Sequence, residues 1–394
     1  MNQKRVLIDD VFFQIHTQPS GIARLWKELL TSEYFKSLLE ESGIQMVVLS
    51  RSGLDISGGL FDVIRFPTYA QESPALDSLL LDEICVKGGF KLFISTYFTF
   101  PTLIPTWIWC YDLIPEVICG PEILNHIGWQ QRSLALLNCQ NFVSISNSTK
   151  ADLFKYYPHS ENSRNQQVAY PWVSRSMLSL LSQQTSFDNE KSKEKPFVLM
   201  VGSRHQLYGY KNGEKLFFAA NCGAFPNVDI VCVGGEPLTE EESSAGSQFG
   251  VKVRRVLAND DELLLLYTKA IALITLSKYE GFGIPIIESL ACGTPVISLA
   301  NSSLREAGGD MSIYMPDDSP HRIKLAIEYA SKPKVRMRSR EYGPIHAESF
   351  SMESSTERIV ASLSIALDET ENYSESGRSM WWRNQIELLS QIEI

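Results

Sequence analysis

Several features are missing from this 394-residue sequence, and each absence removes a class of protein. No uninterrupted apolar run reaches the roughly 18 residues that a membrane-spanning helix needs. The seven cysteines, Cys85, Cys110, Cys119, Cys139, Cys222, Cys232 and Cys292, form no CxxC pair. Most lie in apolar runs, so they read as buried thiols of a reducing compartment, not as a disulfide frame or zinc ligands. There is no DxD triplet and the six histidines are scattered, so no metal is expected. Basic residues are outnumbered, 36 Lys and Arg against 46 Asp and Glu, for a formal net charge of -10. That balance argues against a nucleic-acid partner. The opening MNQKRVLIDDVFFQ sets acids straight after a short apolar run, unlike a secretory signal. The expected location is cytoplasmic, with at most peripheral association at the inner face of the plasma membrane.

What is present is an ordinary globular composition, 44% hydrophobic and 21% charged, in a chain longer than one core usually supports. Short apolar, β-rich runs recur with helical segments between them. Strands are predicted at 5–9, 45–50, 91–95, 106–111 and 142–146, then at 197–202, 228–234, 251–257, 270–277, 294–299 and 312–315. Nearly continuous apolar strands of this kind belong to parallel sheets covered on both faces. The fold class is α/β, with two Rossmann-like, doubly wound domains facing across a cleft. The polar stretch SQQTSFDNEKSKEKP (182–196) marks the linker between a first domain at 1–181 and a second at 197–365. A tail helix within 366–394, carrying Trp381 and Trp382, is expected to return to the first domain. Ligands of such sheets bind at the carboxyl ends of the strands.

The stretch SKYEGFGIPIIESLACGTPVISL (277–299) holds two carboxylates, Glu280 and Glu288, around a glycine-marked turn. Gly281 and Gly283 suit tight turning, Pro285 suits the first helical position, and Gly293 reads as a helix stop. The N–H groups from Phe282 through Ile284 to Ile286 are then expected to face the cleft unpaired, with Glu288 near the exposed end of the helix. A carboxylate only accepts hydrogen bonds, and a vicinal diol offers two donors. Carboxylates on both sides of backbone donors therefore suit a ligand with diols at its ends and a diphosphate between them. A sugar nucleotide has that layout.

EGFGIPIIE matches the E-x7-E signature of the retaining glycosyltransferases of family four, which have the GT-B fold. The resemblance extends to YTKAIALITLSKYEGFGIPIIESLACGTPVI, NSSLREAGGDMSIYMPDD, VGSRHQLYGYKN and FVSISNSTKADLFKYYP. The segments DDVFFQ…SGIARLW and YDLIPE look most like a bacterial subgroup that includes mannosyltransferases of surface-polysaccharide assembly. The resemblance implies that Glu288 binds the ribose hydroxyls and that Glu280 lies at the donor sugar beside the N–H groups of Phe282 and Gly283. It implies that Arg204 and Lys211, with the six residues HQLYGY between them, neutralise the diphosphate. Gly21, in QPSGIAR (18–24), would let backbone approach phosphate or acceptor. His205 reads as a loop residue. Tyr111 stands where related enzymes commonly have a histidine at the donor sugar. Asp112 either binds acceptor or donor hydroxyls or caps its loop. Ser146 and Ser148 lie at the cleft edge, with helix capping the preferred role.

The implied activity is retaining transfer of a hexosyl unit from a nucleotide diphosphate sugar to a saccharide or lipid-linked saccharide hydroxyl, with mannosyl from GDP-mannose among the candidates. Rival readings are a sugar-nucleotide 2-epimerase or hydrolase, which would need no acceptor, and a non-catalytic nucleotide-sugar-binding module.

Overall fold

The computed structural model describes residues 4–16, 20–120, 127–163, 165–183, 195–204 and 209–370. His205, most of the 182–196 stretch and the tail with Trp381 and Trp382 lie outside the described residues.

Two compact units result, each built on one parallel sheet. In the first, strands β1 (Lys4–Asp9), β2 (Ile44–Ser50), β3 (Asp62–Arg65), β4 (Leu92–Ser95), β5 (Thr106–Cys110), β6 (Asn141–Ser144) and β7 (Gln166–Val168) take the order β3-β2-β1-β4-β5-β6-β7. In the second, β8 (Phe197–Val201), β9 (Asp229–Val233), β10 (Val253–Val256), β11 (Ala272–Thr275), β12 (Val296–Leu299) and β13 (Ser312–Met315) take the order β10-β9-β8-β11-β12-β13. Every pairing is parallel. The order in which strands are added reverses between β1 and β4 in one sheet and between β8 and β11 in the other. Those are the points where open α/β sheets leave room for a ligand.

Central strands are buried on both faces, as their apolar sequences require. In the first unit Leu7, Val47, Leu49 and Phe93 pack against Leu81 and Cys85. Ile108, Cys110 and Phe142 pack against Leu136 and Leu153. In the second unit Val198, Ile230, Ile274 and Ile297 are covered by Leu216, Phe217, Ile323 and Ile327. The two strands that the apolar pattern missed, β3 and β7, are the two edges of the first sheet. They are short and largely exposed, so they carry no apolar run to read.

The domain limits differ from the expected ones. The first unit runs to Tyr170 and resumes at Met352, while Pro171–Ser351 forms the second. Helix Arg175–Gln183 belongs to the second unit, where Ser176 Oγ donates to Asp260. The chain therefore crosses at Tyr170–Pro171, ahead of the polar stretch. The returning helix is Met352–Glu369, earlier than the tail. Its Ser362 is fully buried, with Oγ accepting from Trp107 Nε1 at 2.6 Å and from Asn165 Nδ2 at 2.6 Å. Among the described residues, no helix is long and apolar enough to cross a membrane.

Candidate active site

The pocket of the second unit opens at the β8/β11 reversal. Met200 and Val201 line it from β8, and Leu273, Ile274 and Thr275 line it from β11. Lys211, Ser277, Glu280, Gly283 and Pro285 complete the polar side and the turn.

The local sequence explains the turn. Gly283 is the N-cap of helix Ile284–Ala291 with φ +107°, a conformation that L side chains rarely adopt. Pro285 follows within the first turn, where a missing N–H costs nothing. Of the expected backbone donors, Pro285 has none and Ile286 N–H donates to Gly283 O at 2.9 Å. Neither position therefore offers a ligand a backbone donor. Phe282 is buried and meets Phe350 edge-on at 5.2 Å, and Gly281 is buried beside it. The helix is held from behind by helix Pro333–Glu348. A Cβ at Gly343 would lie 2.5 Å from Leu290 O, so only glycine permits this approach.

Glu280 and Lys211 meet in this pocket. Lys211 Nζ lies 2.6 Å from Glu280 Oε1, and Ser277 Oγ donates to the same oxygen at 2.7 Å. The backbone of Glu280 is pinned as well: its N–H donates to Ser302 Oγ at 2.9 Å, and Ser303 Oγ donates to its carbonyl at 2.8 Å. Ser302 has φ +43°, an uncommon value for a residue other than glycine. With Oε1 engaged twice, Oε2 is the oxygen left to accept from a ligand hydroxyl. Lys211 has three N–H donors, of which Glu280 takes one. A fixed carboxylate acceptor and a partly exposed ammonium thus lie side by side.

Other expected site residues fall elsewhere. Glu288 does not sit at an exposed helix end. It is 2% exposed, and its Oε2 accepts from Tyr267 Oη at 3.0 Å. Its charge, after burial itself, pushes the nearby Cys292 thiol well up. Arg204 does not line the pocket with Lys211. It is 3% exposed, with Nε 3.3 Å from Glu242 Oε1 and Nη2 donating to Glu236 O. A buried guanidinium must be paired and hydrogen-bonded, and these acceptors supply both needs.

The first unit has its own pocket beyond β4 and β5, lined by Ile22, Tyr97, Trp109, Tyr111, Asp112 and Arg132, among others. Tyr111 lines it, but its hydroxyl donates to Thr96 O at 3.0 Å and accepts from Trp26 Nε1. Burial pushes its phenol well up, so it remains protonated. Asp112 caps the next helix, Oδ1 accepting from Ile114 N at 3.0 Å, and lies 3.7 Å from Arg132 Nη2. The bond from Ile114 and the contact to Arg132 use the same oxygen. Arg132 is held by both oxygens of Glu116 at 2.6 Å. Burial works against its charge, but Glu116 and Asp112 outweigh it and raise its pKa.

Gly21 begins helix Gly21–Leu30 with ordinary helical backbone, after Ser20 Oγ accepts from Ala23 N at 3.2 Å. Ser146 caps helix Asn147–Tyr156 through Thr149 N at 3.0 Å, as preferred from the sequence. At the end of β1, Asp9 and Asp77 clamp the buried Arg51, with Nε 2.8 Å from Asp9 Oδ1 and Nη1 2.6 Å from Asp77 Oδ1. Sequence reasoning missed this cluster; the Asp9-Asp10 pair at the end of an apolar strand was its one local signal.

Residues 182–344, which contain this pocket and its strands, match the family model for glycosyl transferases group 1. The chain carries a glycosyl transferases group 1 domain. Over 255 residues the chain is 26% identical to the O-antigen chain mannosyltransferase RfbU of Salmonella typhimurium, covering 64% of this chain and 67% of that protein. Two solved structures share the fold of the group 1 domain and of the preceding unit. WaaG, a glycosyltransferase involved in lipopolysaccharide biosynthesis, gives a TM-score of 0.64 at 15% identity, over 90% of this chain and 98% of that one. Anabaena HepE in complex with UDP-glucose gives 0.61 at 16% identity, over 91% and 99%. The fold class read from the sequence, two parallel-sheet α/β domains of GT-B type, is the one observed.

Proposed function

We propose that this glycosyltransferase moves a hexosyl unit from a nucleotide diphosphate sugar to a saccharide hydroxyl with retention of the anomeric configuration. The observation that carries the reading is the Lys211–Glu280–Ser277 arrangement at the β8/β11 reversal. Lys211 faces the diphosphate, whose charge grows as the anomeric C–O bond breaks. A positioned cation stabilises that growth more than it stabilises the ground state. Glu280 accepts from a hydroxyl of the donor sugar. The acceptor oxygen forms its bond to the anomeric carbon on the face that the phosphate leaves, and its proton passes to the departing phosphate oxygen. No carboxylate nucleophile and no metal are required by this scheme.

Glu288 serves the ribose in this reading, with Tyr267 orienting its carboxylate. The aromatic pocket with Asp112 and Arg132 in the first unit holds the acceptor. The similarity to RfbU, an O-antigen chain mannosyltransferase, supports mannosyl as the transferred unit and a surface polysaccharide as its destination. The reading places the enzyme in the cytoplasm, with the acceptor either free or lipid-linked.

A thermal-shift panel of UDP, GDP, ADP and dTDP sugars tests the donor class. A donor at 100 times its dissociation constant stabilises the fold by about 2.7 kcal/mol. No shift with any of the four contradicts the proposal.

A further inference from the structure

Lys211 sits in a loop, and a loop lysine holds a set position only if its neighbours are fixed. Here both neighbours are. On one side, Lys278 N–H donates to Tyr210 O at 2.8 Å. On the other, the fully buried Asn212 donates through Nδ2 to Leu276 O at 3.1 Å and to Asp318 Oδ2 at 2.7 Å. Both partners only accept, so the amide nitrogen must be the atom that faces them. Leu276 and Lys278 flank Ser277, which donates to Glu280. The loop of Lys211 and the segment leading to Glu280 are therefore fastened to each other on both sides of the ion pair.

Asn212 has φ +57°, in the left-handed region. Glycine would satisfy that backbone at least as well, and asparagine is one of the few other residues that tolerate it. Backbone geometry alone does not call for a buried amide. The contact to Asp318, 106 positions away in sequence, gives the amide a purpose.

We infer that Asn212, anchored by Asp318, is a positioning residue that sets Lys211 against the second phosphate of a nucleoside diphosphate. The inference rests on the reading of this pocket as a nucleotide-sugar site. It makes the Asn212–Asp318 pair the source of preference for diphosphate over monophosphate nucleotides.

The test is calorimetric titration of the full chain with UDP and UMP, and with GDP and GMP. Asn212→Gly keeps the backbone conformation and deletes the amide. It should weaken diphosphate binding about tenfold or more, the scale of one charge-assisted contact, and leave monophosphate binding within about twofold. Lys211→Ala should show the same selective loss, and the double variant should be no worse than Lys211→Ala alone. Asp318→Asn, which can still accept from Asn212, should retain the preference. General loosening of the fold would weaken both nucleotides alike. If Asn212→Gly proves too unstable, Asp318→Ala removes the anchor and should give the same selective loss. A diphosphate preference that persists in Asn212→Gly or Asp318→Ala but vanishes in Lys211→Ala overturns the inference and leaves the site reading intact. Wild-type protein that binds neither diphosphate overturns the site reading itself.

Discussion

Replacing Glu280 by glutamine separates its proposed role at the sugar from the role of Lys211 at the phosphates. Oε1 of Glu280 takes donors from Lys211 at 2.6 Å and from Ser277 at 2.7 Å. The amide oxygen of glutamine can take both, so the loop should keep its shape. The amide nitrogen then replaces Oε2, presenting a donor where the sugar hydroxyl needs an acceptor, and the negative charge is gone. One charge-assisted hydrogen bond is worth about 1.5–3 kcal/mol. If that bond strengthens in the transition state, transfer slows on the order of 100-fold, equivalent to about 2.7 kcal/mol. Affinity for the free nucleoside diphosphate should stay within about threefold, because no phosphate contact is removed. Single-turnover transfer rates and calorimetric titration with the nucleoside diphosphate measure the two quantities separately. Equal losses of affinity and rate would show that Glu280 serves the nucleotide, and an unchanged rate would remove it from the sugar site.

The buried position of Glu288 calls for the milder Glu288→Gln. Gln can still accept from Tyr267, so stability should hold while nucleoside diphosphate affinity falls about tenfold; unchanged affinity would remove Glu288 from the ribose site. Arg204→Ala should act on folding, since it takes a buried guanidinium from Glu242. Urea unfolding should show a loss of about 3 kcal/mol with near-normal nucleotide affinity, and the reverse pattern would return Arg204 to the phosphates. EDTA treatment should leave the transfer rate essentially intact, because in the proposed scheme Lys211 and not a metal neutralises the diphosphate; strict dependence on Mg²⁺ or Mn²⁺ would contradict this.

The interior strands were legible because parallel strands buried on both faces must be nearly continuous in apolar residues. The edges β3 and β7 escaped for the converse reason. The polar stretch at 182–196 drew the boundary away from Tyr170–Pro171, where Ala169, Tyr170, Pro171 and Trp172 carry no polar break at all. Composition marks exposure, and the crossing between the units is not more polar than its surroundings. In the site, the glycine-marked turn and Glu280 could be read locally, since strand end, turn and helix start follow one another within a dozen residues. Partners across the fold could not. Arg204 and Glu242 are 38 positions apart, and Asn212 and Asp318 are 106 apart. Nothing in either neighbourhood announces the other. Arg204 therefore looked like a phosphate ligand, and Asn212 drew no reading at all.

The central claim is retaining transfer from a nucleotide diphosphate sugar, and the configuration of the first-formed product tests it most directly. The measurement is NMR of the product from an α-linked donor, taken before any re-equilibration. An α-linked saccharide released together with a nucleoside diphosphate is the predicted result. A β-linked product would contradict both the same-face mechanism and the roles assigned to Lys211 and Glu280.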